Sequence, residues 1–144
     1  MILVTGASGF LGSAIANRAK RRGLAVRGMI RPGSPRHRLQ LAPGDLAIGE
    51  MENPESLAAA VEGVGAVIHC AASTSVSRPD LAASRRVNVE GLARLIEACQ
   101  RAGTRRFVLI SSQSADPRNP SVYGRTKYEA ERRLRESSLE WTIL

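Results

Sequence analysis

Short apolar runs alternate along this chain with longer stretches in which apolar residues recur every three or four positions. That alternation predicts parallel β/α units. Residues 2–4 (Ile-Leu-Val) read as a buried strand, followed by glycines and a helix with Leu11, Ile15 and Ala19 on its inward side and Gly23 at its end. Residues 24–30 predict a second strand, broken by Arg31-Pro32-Gly33-Ser34, and residues 46–48 a short third. Asn53 caps the next helix, with Pro54 at its first position, Leu57 and Val61 inward and Gly63 as its stop. Residues 64–70 are apolar enough to be covered on both faces of a sheet. A long helix over 81–101 turns Val87, Leu92, Leu95, Ile96 and Cys99 inward and stops at Gly103. A fifth strand over 106–110, a helix over 122–136 and a sixth strand from Trp141 complete the pattern. Right-handed crossovers wind such units into an α/β, doubly wound parallel sheet with helices on both faces.

With 144 residues, 43% hydrophobic and 24% charged, the chain has the apolar content of a folded protein and the length of one domain over 1–144. No apolar run approaches the roughly 18 to 20 residues that cross a bilayer. Met1-Ile2-Leu3-Val4-Thr5 runs straight into glycine, with no basic and apolar leader. A cytoplasmic protein that is neither exported nor membrane-bound is expected. Cys70 and Cys99 lack the spacing of a zinc site or a disulfide framework and read as buried reduced thiols. The net charge of +8 raises affinity for polyanions in general, but aromatics are only 3%, so platforms for stacking bases are nearly absent. Arginine outnumbers lysine 19 to 2 throughout, a compositional bias more than a binding face, and nucleic acid is the disfavoured partner.

Thr5-Gly6-Ala7-Ser8-Gly9-Phe10-Leu11-Gly12 lies between the first strand and the first helix. Glycines there let the chain turn sharply and bring backbone N–H groups against a pyrophosphate at a helix N-terminus. The placement marks a dinucleotide site, with Gly6, Gly9 and Gly12 shaping the turn at the phosphates. The end of the second strand offers no carboxylate for the adenosine ribose. Arg31 stands there instead, which favours NADP(H) over NAD(H) while leaving NAD(H) open.

Tyr123 and Lys127 are four residues apart, on one face of a helix. An ammonium beside a phenol favours the phenolate, and the phenol can then exchange a proton with a substrate oxygen while hydride moves at a nicotinamide. Ser111 and Ser112 end the fifth strand, at the carboxyl edge where such sheets bind ligands.

Taken together, Thr5 to Gly12, Val67-Ile68-His69-Cys70-Ala71-Ala72, Val87-Asn88-Val89-Glu90-Gly91, Phe107 to Ser112, Tyr123 to Lys127 and Leu139 to Leu144 resemble the short-chain dehydrogenase/reductase superfamily, in its extended and atypical branch. The resemblance implies that Ser112, Tyr123 and Lys127 are catalytic and that Lys127 also bonds the nicotinamide ribose. It implies that Phe10 and Leu11 give N–H groups to the pyrophosphate, that Glu50 (in place of the usual aspartate) and Met51 lie by the adenine, that Ala71 and Ala72 lie on the nicotinamide side, and that Ser8 and Cys70 also contact the cofactor. Asn88 matches a family asparagine; the alternative is a mid-helix polar residue satisfied by local backbone. Two departures stand out. Ten residues separate Ser112 from Tyr123, with Ser114-Ala115-Asp116-Pro117-Arg118-Asn119-Pro120 where sugar-nucleotide epimerases carry Val-Tyr-Gly. The family's C-terminal substrate lobe is absent, so a piece of a longer enzyme is expected. The implied function is an NAD(P)-dependent oxidoreductase or epimerase acting on a small molecule, with a homo-oligomer left open. The alternative is a non-catalytic NADP(H)-binding redox sensor or structural subunit.

Overall fold

The computed structural model describes residues 1–74 and 80–144. The runs rich in Val, Ile and Leu become β1 (Ile2–Thr5), β2 (Val26–Ile30), β3 (Leu46–Ile48), β4 (Ala66–His69), β5 (Arg106–Leu109) and β6 (Glu140–Ile143). They pair as one sheet in the order β3-β2-β1-β4-β5-β6, every pair parallel. Leu24 lies outside β2 and is exposed, because Gly23 turns the chain before the strand begins.

Successive residues of β1 serve opposite faces. Leu3 joins the larger core, where Leu57 and Val61 of α2 (Pro54–Val61), Leu92 and Leu95 of α4 (Gly91–Arg101) and Leu134 of α5 (Val122–Arg135) meet Val67, Phe107 and Leu109. Val4 joins the smaller core under α1 (Phe10–Arg21), with Ala7, Ala16, Ala19, Val26 and Ile30. Helices therefore cover both faces. The strand order reverses beside β1, so a crevice opens at the carboxyl ends of β1 and β4, the usual ligand position in such sheets.

Two helical expectations change. The inward face of α1 is Gly12, Ser13, Ala16, Asn17 and Ala19, while Leu11 is 44% exposed. A side-chain carbon on Gly12 would sit 2.2 Å from the Gly6 carbonyl oxygen, so the helix lies too close to the preceding turn for bulky residues. The predicted 81–101 helix divides into α3 (Leu81–Arg85), a π turn over Arg86–Glu90, and α4. Ser84, Asn88, Leu92 and Ile96 are four apart and all buried, a spacing that outruns the 3.6-residue turn and that a wider turn accommodates.

The close approach at Gly12 makes a direct prediction. Gly12→Ala is expected to lower stability by about 1–3 kcal/mol in urea unfolding, the range for forcing volume into packed space. An unchanged midpoint would contradict the contact.

Candidate functional site

The turn after β1 is built from backbone. Gly6 takes φ +64°, and a side-chain carbon there would meet the Ala71 nitrogen at 2.8 Å. The Ala71 N–H instead donates to the Thr5 hydroxyl oxygen at 3.4 Å, and that hydroxyl bonds His69 Nδ1 at 2.8 Å. The ends of β1 and β4 are thus held together beneath the turn. α1 follows from Gly9 with no side-chain cap, so no side chain competes for its leading N–H groups.

A cleft of about 340 Å³ opens over this turn. Gly6, Ser8, Gly9, Arg31, Glu50, Met51, Cys70, Ala71 and Ala72, all singled out in the sequence, line it together. Phe10, Leu11 and Gly12 do not. Phe10 is 81% exposed and Leu11 points outward, so at these positions only the backbone is placed to serve the turn. Sequence reasoning missed Thr5, Met29, Ile30, Gly49, Glu52, Ser73 and Val87 in the lining. Only Thr5 carried a signal, as a hydroxyl ending an apolar strand just before the glycines. The backbone N–H of Glu50 donates to the Ser56 hydroxyl at 3.1 Å, which fixes the cleft edge on α2. Cys70 is half-buried at the cleft wall rather than fully buried, and burial pushes its thiol up to about 11; Cys99 is fully buried.

Ser112, Tyr123 and Lys127 lie outside this lining, on the loop after β5 and on α5. Lys127 is 3% exposed, and its ammonium donates to the Ile110 carbonyl at 2.6 Å. Burial pulls it down to about 8, with Glu131 and then Cys70 acting in the opposite direction. Burial pushes the Tyr123 phenol above its ordinary value. This reverses the expected effect of Lys127 on the phenolate: the ammonium is committed to a strand carbonyl, and desolvation of the phenol decides. The Ser112 and Ser114 hydroxyls bond at 2.8 Å, and the Ser114 N–H donates to Ser112 Oγ at 3.2 Å. The Ser114 carbonyl packs on Gly124, where a side-chain carbon would stand 2.4 Å from it. The loop that begins at Ser112 is thereby drawn back onto the helical turn that carries Tyr123.

Asn88 decides between its two readings on contacts, and local backbone loses. Its side chain accepts from the Ser73 N–H at 2.7 Å and donates to the Ser73 carbonyl at 3.1 Å and to the Thr126 hydroxyl at 3.0 Å. The π turn aims it at both the cleft wall and α5, the neighbour of Lys127 included.

A family model described as NAD(P)H-binding matches residues 6–144. The chain belongs to that NAD(P)H-binding family. It is 31% identical over 99% of its length to a photosystem II assembly factor, Ycf39, of Trieres chinensis, covering 44% of that protein. It is 37% identical over 78% of its length to a 3-beta-hydroxysteroid dehydrogenase of Mycolicibacterium neoaurum, covering 32%. A short-chain dehydrogenase/reductase superfamily protein from Agrobacterium tumefaciens, solved with bound NAD, superposes with a TM-score of 0.83 at 34% identity, over 99% of this chain and 48% of that one. The family's wider setting is therefore the short-chain dehydrogenase/reductase superfamily, on a Rossmann fold. The chain spans under half the length of these three proteins. Among the described residues, no helix is long and apolar enough to cross a membrane.

The buried His69 gives this end of the sheet a pH dependence. Burial, and then Lys127, pull it down to about 3 from 6.5. Between those values the unfolded chain binds a proton that the folded one refuses, so stability is complete above about pH 6.5 and falls as pH drops toward 3. The expected loss is up to about 1.4 kcal/mol per pH unit. Urea midpoints at pH 7 and pH 5 should show it, and His69→Gln should flatten it. A variant that kept the full slope would contradict the assignment.

Proposed function

We propose that residues 1–144 form the cofactor-binding part of an NADP(H)-preferring oxidoreductase or epimerase that acts on a carbonyl or alcohol of a small molecule. The observation that carries this reading is the cleft over the glycine turn. Position 6, in the lining, has no room for a side chain, and position 12 has none either, so α1 starts close against the turn, as a pyrophosphate site requires. Gly6, Ser8, Gly9, Phe10, Leu11 and Gly12 would hold the phosphates. Arg31 at the rim would pair with the adenosine 2′-phosphate, Glu50 and Met51 would border the adenine, and Cys70, Ala71 and Ala72 the nicotinamide.

When bound, the nicotinamide supplies or accepts a hydride. Tyr123 is the proton donor for the substrate oxygen. A phenol pushed upward by burial is held protonated, which suits it to giving a proton to a carbonyl as that carbonyl is reduced. Ser112 would donate a hydrogen bond to the same oxygen, and Lys127 would hold the nicotinamide ribose and place positive charge one helical turn from Tyr123. A second reading, a non-catalytic NADP(H)-binding subunit, draws support from the relative named as an assembly factor.

Arg31→Ala is expected to weaken NADPH by about tenfold or more and NADH by under about threefold in fluorescence titrations, the loss of one charge-assisted phosphate contact. Equal losses would remove the case for NADP(H). Tyr123→Phe should leave cofactor affinity within about twofold and lower turnover of any accepted carbonyl by about 10²–10⁴-fold. Full turnover in that variant would overturn the mechanism.

A further inference from the structure

Tyr123, Lys127, Glu131 and Arg135 stand four apart along α5, a spacing that stacks them in one column. Glu131 occupies the turn beyond Lys127, with its side chain only 13% exposed. Both carboxylate oxygens are used. Oε1 accepts from the Ser111 hydroxyl at 2.5 Å, and Oε2 meets the Arg135 guanidinium at 3.0 Å. Ser111 follows Ile110, whose carbonyl takes the Lys127 ammonium at 2.6 Å. Two consecutive residues at the end of β5 are therefore tied to α5 at Lys127 and Glu131, directly before Ser112. The Ser111 N–H also donates to the Leu144 carbonyl at 2.6 Å, and Arg135 lies over the Trp141 ring at 5.9 Å, so the end of β6 joins the same assembly.

We infer that Glu131 is the positioning residue of this column: it fastens the end of β5 to α5 and supplies the carboxylate that balances the buried Lys127 ammonium. The inference rests on Lys127 being the partner of Tyr123 in the proposed reaction. Lys127 is faced by His69 and Cys70 from the end of β4, by the Ile110 carbonyl from β5, and by Tyr123 and Glu131 on its own helix. Burial keeps His69 neutral down to about 3 and the Cys70 thiol neutral up to about 11. Glu131 is then the formal negative charge in that set. Without it, a lysine already pulled down by burial would lose its proton sooner, and the column would lose the cation that the ribose and the phenol need.

The chain has two lysines, so the test is direct. Lys20 is 45% exposed and paired with Asp45, far along the fold, and serves as an internal reference. The carbon-13 ε signals of both lysines would be followed by NMR as a function of pH in the cofactor-free protein. Glu131→Gln keeps an acceptor for Ser111 and removes the charge. It is expected to raise the acid dissociation constant of Lys127 by roughly threefold or more while Lys20 stays put. Arg135→Ala, at an exposed residue that leaves the core intact, frees the carboxylate and removes a cation, and should shift Lys127 the other way. An unmoved Lys127 in either folded variant overturns the inference. The titration needs neither cofactor nor substrate, so its failure is distinct from a failure of NADPH binding or of turnover.

Discussion

The carbonyl of Gly6 occupies the place where a side chain at residue 12 would begin, and much of the molecule follows from that contact. A helix brought so close to the turn must present small residues inward, which explains Gly12, Ala16 and Ala19 and the outward Leu11. The same turn presses Gly6 against Ala71, so β1 and β4 end side by side with backbone between them. The consequence is a cleft lined by the turn residues Gly6, Ser8 and Gly9 and by residues at the strand ends. A pyrophosphate proposed at this turn would meet the dipole of the α1 N-terminus.

The second half of the site hangs from α5 and is joined to the first by very few groups. Asn88 bridges Ser73 in the cleft wall to Thr126 beside Lys127. Its position on a π turn is what lets one helix residue reach both, a use of irregular helix that recurs at functional sites. Gly124 lets the loop from Ser112 close on the turn that carries Tyr123. The proposed chemistry would therefore take place in a region where burial outweighs charge. The phenol is pushed up, the ammonium down, and His69 is held neutral. Such a balance suits a proton donor whose moment of use comes when a substrate oxygen gains charge.

Legibility in the sequence tracked the range of the interactions. Strands, caps and stops are local, and residues such as Asn53 and Pro54 announce them; Asn53 does cap α2 by accepting from the Ser56 N–H at 3.1 Å. The glycine turn was equally plain, and nine of the named cofactor residues share one cleft. The inward face of α1 was misjudged because its packing distance is set by a carbonyl six residues earlier, which periodicity does not see. The π turn escaped for a similar reason, since Val87 and Leu92 continue an apparently helical pattern through it. Partners distant along the chain were invisible: Lys127 with Ile110, Ser111 with Glu131, and Asn88 with Thr126. The direction in which Tyr123 shifts depends on burial, which no spacing of tyrosine and lysine reports.

On the reading proposed above, this turn and cleft hold NADP(H). The most direct measurement is calorimetric titration of the unaltered 144-residue chain with NADPH and, separately, with NADH. Saturable one-to-one binding of NADPH, tighter than that of NADH, is expected. Absence of binding to both would contradict it.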